Sequence, residues 1–122
     1  MKLQPSARTH LNTFTGYGEG YVMVNGERHA ASLLVEPERL QPWPVSAFAA
    51  LAEAHFAALA ALAPEVVLLG TGGRLRFPHP KLSAPLARAG IGLEVMDVQA
   101  ACRTYNILMA EERRVLAALI LE

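Results

Sequence analysis

A glycine-rich turn with two arginines behind it is the segment of this sequence best suited to chemistry. It reads Gly70-Thr71-Gly72-Gly73, with Arg74 and Arg76 close by. The turn follows the short run Glu65-Val66-Val67-Leu68-Leu69, which reads as a buried strand, and α/β proteins bind ligands at the carboxyl ends of such strands. Successive backbone N–H groups in a glycine turn form a concave nest for an anion. The same residues also make a plain tight turn, because glycine adopts positive φ without any ligand. The Walker pattern is absent and no helix opens directly after the turn.

A second group lies on a helix that Asp97 is placed to cap, with Val98, Ala101, Cys102, Tyr105, Leu108 and Met109 as its buried stripe. Arg103 and Asn106 share the opposite face at i, i+3. Solvated surface is the default for such a pair. The sharper expectation is that Arg103 leans back toward the helix N-terminus, as helical side chains do, and meets the glycine turn. In the rival arrangement Arg103 pairs with Glu94 or Glu112 and ties the helix to the sheet. The candidate ligand set is therefore Gly70, Thr71, Gly72, Gly73, Arg103 and Asn106, suited to an anion or a partner's carboxylate.

Other chemistry is poorly represented. The histidines at 10, 29, 55 and 79 lack H-x-x-x-H or H-E-x-x-H spacing, so no metal is expected. Cys102 is the sole cysteine and lies on the apolar stripe, where a thiol behaves as a small hydrophobe. Ten of the 11 carboxylates are glutamates and none forms an acid/base pair, so no catalytic residue is assigned. Gly16, Gly18 and Gly20 do not fit G-x-G-x-x-G, and a strand follows them where a dinucleotide site needs a helix. No cofactor is expected.

The elements that position these residues follow from pattern. Leu11–Thr15 and Tyr21–Val24 read as strands. Asn25-Gly26 is a type I′ turn signal, from which Glu27–Val35 returns as the second strand of a hairpin. Ser46 is placed to cap a helix through about Ala63, ended by Pro64, with Phe48, Leu51, Ala52, His55, Leu59 and Leu62 as its stripe. Ser83 is placed to cap a short helix ending near Gly90, with Pro85 in its first turn. Ile91–Met96 reads as a strand, and Val115–Leu121 fits either a strand or a helix. Strands alternating with helices after residue 45, plus the hairpin, predict an α/β fold with a mixed sheet and flanking helices. Residues 1–9 are expected to be a loose arm and residues 10–122 a single domain.

Composition narrows the partners. The chain has 122 residues, 52% of them hydrophobic, with 11 basic and 11 acidic side chains. A neutral chain without a basic run lacks the electrostatic footprint of a nucleic-acid binder. Near-zero charge and an apolar Ser46–Ala63 helix together favour a homodimer. The stretch from Trp43 to Ala63 approaches bilayer length, but its many alanines and Glu53 argue for a buried helix and no membrane span. The first residues carry no apolar leader, which sets the expected location as cytoplasmic.

Several segments together resemble a known family. They include Gly16-Tyr17-Gly18-Glu19-Gly20, Val24-Asn25-Gly26, Ser32-Leu33-Leu34-Val35, Trp43, Gly70-Thr71-Gly72-Gly73, Glu94-Val95-Met96-Asp97, Arg103-Thr104-Tyr105-Asn106-Ile107-Leu108 and Glu112-Arg113-Arg114-Val115. In this order they resemble the Mth938-like domain of unknown function (DUF498 type). Its members include a mitochondrial complex I assembly factor and an adipogenesis-associated protein. The resemblance implies a three-layer α/β fold with a central mixed sheet, makes Val115–Leu121 a strand, and supplies no catalytic residue. The function expected is that of a non-catalytic binding or assembly protein with protein partners. The alternative is a small-anion or small-ligand protein or enzyme using the Gly70–Gly73 turn and Arg103.

Overall fold

Every residue of Val66–Gly70 is buried, a pattern that suits a strand covered on both faces. In the computed structural model, which describes residues 10–122, this run is an interior strand of a five-stranded mixed sheet. The expected arm at residues 1–9 lies outside the described residues. In chain order the elements are β1 (Phe14–Gly18), β2 (Tyr21–Val24), β3 (Glu27–His29), β4 (Leu33–Val35), β5 (Leu40–Pro42) and α1 (Glu53–Ala61). They continue with β6 (Val66–Gly70), α2 (Pro80–Arg88), β7 (Gly92–Met96), α3 (Val98–Ala110) and β8 (Val115–Leu119).

The large sheet has the order β5-β4-β8-β6-β7, and β1-β2-β3 form a separate antiparallel sheet. β6 runs parallel to both β7 and β8, while β4 is antiparallel to β8 and β5. Side chains alternate across the sheet with period two. Val66 and Leu68 join Val98, Ala101 and Tyr105 of α3 and Phe14 and Val22 of the small sheet in one core. Val67 and Leu69 join Phe56 and Leu59 of α1 and Leu86 of α2 in the other. The result is three layers: α1 with α2, the mixed sheet, and α3 with the small sheet.

Consecutive crossovers use opposite faces. β6 leads through α2 to β7, and β7 leads through α3 to β8 on the other side of β6. Adjacent parallel strands whose exits diverge in this way define the edge where α/β sheets usually bind. At that edge Gly70 lets α3 sit close. A Cβ there would lie 2.8 Å from Leu119 Cδ2 and 3.3 Å from Val98 Cα, contacts too tight for a side chain.

The hairpin forms with Asn25 at φ 50° and Gly26 at φ 83°, as the turn signal predicts. Its returning strand is shorter than expected and stops at His29. Leu33–Val35 is buried throughout and pairs with β8 instead. Burial on both faces outweighs continuation along an exposed edge. The first strand begins at Phe14, so Gly16 and Gly18 lie within β1, beneath Met23 and Tyr21.

The expected Ser46–Ala63 helix is also corrected. A short 3-10 turn occupies Phe48–Ala50, Leu51 and Ala52 are extended, and α1 starts only at Glu53. Ser46 makes no capping bond. Instead the Phe48 N–H donates to the Glu122 carboxylate, and His55 Nδ1 accepts the Ala52 N–H at 2.9 Å. A distant carboxylate at Phe48 and a local cap from His55 thus override the weak start signal at Ser46. α2 begins at Pro80, three residues before Ser83, because His79 Nδ1 accepts the Lys81 N–H and Pro80 suits the first helical position. Among the described residues no helix is long and apolar enough to cross a membrane.

Candidate functional site

The site at the carboxyl edge is built around Thr71, which is fully buried. Its N–H donates to the Met96 carbonyl at 2.9 Å, extending the β6–β7 ladder by one residue. Its hydroxyl donates to the Arg74 carbonyl at 2.7 Å and accepts the Arg76 N–H at 3.0 Å. One side chain thereby closes the turn on itself. Gly72 adopts φ +87°, a region that only glycine enters at low cost. Its carbonyl accepts the Val98 N–H at 3.0 Å, so the turn also holds the start of α3. Asp97 caps that start by accepting the Ala100 N–H at 2.9 Å.

Arg76 turns inward. Its guanidinium donates to the Thr71 carbonyl and to the Glu122 carboxylate, and it stacks on the Phe48 ring at 4.8 Å. Arg76, with help from the Phe48 N–H, holds the Glu122 carboxyl below its usual pKa of 4.5. Neighbouring side chains of the same loop turn outward, leaving Leu75 and Phe77 exposed.

Beside the turn is a cleft of about 280 Å³, lined by residues 18–20, 72–73, 97–99 and 120–122. That is at the small end for a ligand pocket. Among the described residues its lining includes the acidic Glu19, Asp97 and Glu122 and no Lys or Arg.

The candidate residues fall into two places. Gly70, Thr71, Gly72 and Gly73 meet at the sheet edge, and only Gly72 and Gly73 line the cleft. Arg103 and Asn106 face the small sheet instead. Arg103 Nη1 donates to the Tyr17 hydroxyl at 2.9 Å, so its partner is neither the glycine turn, Glu94 nor Glu112. Asn106 accepts the Phe14 N–H at 2.9 Å and donates to the Phe14 carbonyl at 2.8 Å. It pairs with β1 as a neighbouring strand would. Tyr105 stacks edge-on against Phe14 at 5.0 Å and donates to the Asn12 carbonyl. This whole face of α3 is committed to holding the small sheet.

Cys102 is buried, and burial pushes its thiol up to about 12, which disfavours the reactive thiolate. Among the described residues no cluster of three or more His, Cys, Asp or Glu could hold a metal ion. Sequence reasoning missed the roles of Glu122, Phe48 and the Leu75/Phe77 pair. The signal available for the pair was the alternation Arg74-Leu75-Arg76-Phe77 between a glycine turn and Pro78. Apolar residues in a loop bounded that way have no periodic element to bury them.

Residues 14–120 match a family described as protein of unknown function (DUF498/DUF598). The chain belongs to this family. A crystal structure from Bordetella parapertussis is similar to it at 46% identity and a TM-score of 0.87, covering 93% of this chain and 98% of that one. A solution structure from Bordetella pertussis, described as a Mth938-like domain, is 39% identical with a TM-score of 0.83, covering 99% and 92%. The chain is also similar to the zebrafish NADH dehydrogenase [ubiquinone] 1 alpha subcomplex assembly factor 3, at 31% identity over 122 residues. That match covers 98% of this chain and 68% of the zebrafish protein, and the match to the bovine factor covers 58% of its length. The recognised family, the mixed sheet and the flanking helices agree with the resemblance read from the sequence.

The Glu122 contacts make a pH-dependent prediction. A carboxyl depressed in the folded state contributes stability above its unfolded value, and that contribution is lost as pH falls through the folded value. Glu122→Gln is expected to lower stability at pH 7 by about 1 kcal/mol, after allowance for solvent screening at a partly exposed pair. The gap from the parent should shrink toward zero as urea denaturation is repeated below the usual 4.5. An equal gap at both pH values would mean the carboxylate charge contributes nothing.

Proposed function

We propose that this chain is a non-catalytic assembly-type protein that works by binding protein partners, and that respiratory complex I is the assembly it serves. The observation that carries the reading is the match to a complex I assembly factor across 98% of this chain. The edge geometry supports it. The cleft is small, and two of its three carboxylates are occupied within the chain, Asp97 by the Ala100 N–H and Glu122 by Arg76 and Phe48. The alternative, an anion site using the Gly70–Gly73 turn and Arg103, has less support, because the Arg103 guanidinium is engaged by the Tyr17 hydroxyl. A cytoplasmic location belongs to the proposal and is read by fractionating host cells.

Self-association is a separable part of it. Phe56 and Leu59 of α1 are covered within the chain, which leaves an exposed alanine face of Ala54, Ala57, Ala58 and Ala61 as its remaining motive. Sedimentation at tens of micromolar, where micromolar contacts register, is expected to give a dimer. A monomer throughout removes that part.

The assembly reading is tested by deleting the chain from its host and resolving the membranes on native gels. Assembled complex I is expected to fall several-fold while partial assemblies accumulate, with recovery on re-expression. Unchanged complex I in the deletion strain overturns the reading.

A further inference from the structure

The geometry points to the β6–α2 loop as a docking knuckle, with Phe77 as the anchor, for a protein partner whose apolar pocket is rimmed by carboxylates. This deepens the assembly reading and rests on it. Phe77 is 70% exposed and Leu75 49% exposed, on adjoining outward positions of one loop. They are held out by what happens between them. Arg76 is fixed inward by the Thr71 carbonyl, Glu122 and the Phe48 ring. The hydroxyl of Thr71 fastens the backbone at Arg74 and Arg76. Pro78 then restricts the chain just after Phe77. An aromatic side chain presented on a pre-ordered backbone loses little freedom on binding, which is the character of an interface anchor.

The surrounding charge selects the partner. Between Glu65 and Glu94 the chain has no carboxylate and four cations, Arg74, Arg76, Lys81 and Arg88. Arg76 pairs with Glu122, and Arg88 pairs with Glu53. Arg74 and Lys81 are exposed and make no ion-pair contact within 4.0 Å among the described residues, although Arg74 also lies near enough to Glu122 to help hold its carboxyl below the usual value. Two exposed cations that flank the aromatic anchor in sequence, with their charged groups in no close ion pair, complement carboxylates around an apolar pocket. A protein is favoured over a lipid surface because stable membrane anchoring takes more than one short loop with two apolar side chains.

The test replaces Phe77, in the full chain expressed in its host, with a benzophenone photo-crosslinking residue. Ile107, 59% exposed on α3, receives the same residue as the control. The expected result is a protein adduct from position 77 and not from 107, mapping by mass spectrometry to a segment rich in Asp or Glu. Adding Arg74→Glu with Lys81→Glu should lower its yield at least tenfold. Adducts of equal yield at both positions, no protein adduct at 77, a lipid adduct, or an adduct to a second copy of this chain would each overturn the inference. Phe77→Ala separates the two readings in the deletion strain. Full rescue of complex I by this variant removes the docking knuckle and leaves the assembly role. A charge-dependent adduct in a host whose complex I ignores the deletion does the reverse.

Discussion

Thr71 has one hydroxyl and no contact with solvent, and the carboxyl edge of the sheet is organised around it. A buried hydroxyl must find partners or destabilise the fold by an amount comparable to a lost hydrogen bond. Here it finds them three and five residues further on, at the Arg74 carbonyl and the Arg76 N–H. The same residue's backbone joins β6 to the end of β7 and accepts from the Arg76 guanidinium. Because Arg76 is committed, Glu122 and Phe48 are drawn to the same point, and the segment before α1 is pinned there. A single satisfied polar group therefore connects the mixed sheet, the approach to α1 and the exposed loop.

The opposite face of the sheet edge is fixed by a different set of contacts. α3 seats on β6 at Gly70, where a side chain would not fit, and holds the small sheet through Asn106, Tyr105 and Arg103. Each of these three uses its polar atoms on β1 or the residues just before it. The helix thus acts as a bracket between two sheets, and the polar residues that looked free for ligand binding are consumed by that task. On the β6–α2 loop what remains exposed is apolar at Leu75 and Phe77 and cationic at Arg74 and Lys81, which is the chemistry of a docking surface.

Much of the fold was legible because it rests on local rules. Asn25-Gly26 specifies its hairpin, Asp97 caps α3, and Val66–Leu69 is too apolar to lie anywhere but inside. The tail Val115–Leu121 carried no such rule. Pattern alone left strand and helix open, and the family resemblance decided for a strand. The break before α1 was not legible either, since the turn at Phe48 is held by a carboxylate 74 residues away at Glu122 and α1 then starts under a cap from His55. For the same reason the glycine turn was recognised as a feature while its purpose was not. Gly72 and Thr71 are read as a turn from their types, but the inward path of Arg76 is set by residues distant in sequence. Arg103 was misplaced because its direction depends on β1 lying over α3, a long-range contact that helical spacing does not encode.

Amide hydrogen exchange on Thr71→Val tests the role of Thr71 most directly, since valine keeps the shape and removes the hydroxyl. The expected result is that the Arg76 amide exchanges at least about fivefold faster, equivalent to about 1 kcal/mol for a lost hydrogen bond, while β6 and β8 keep their protection. If the variant folds and Arg76 exchanges as in the parent, or accelerates only in step with β6, the loop is not held by Thr71.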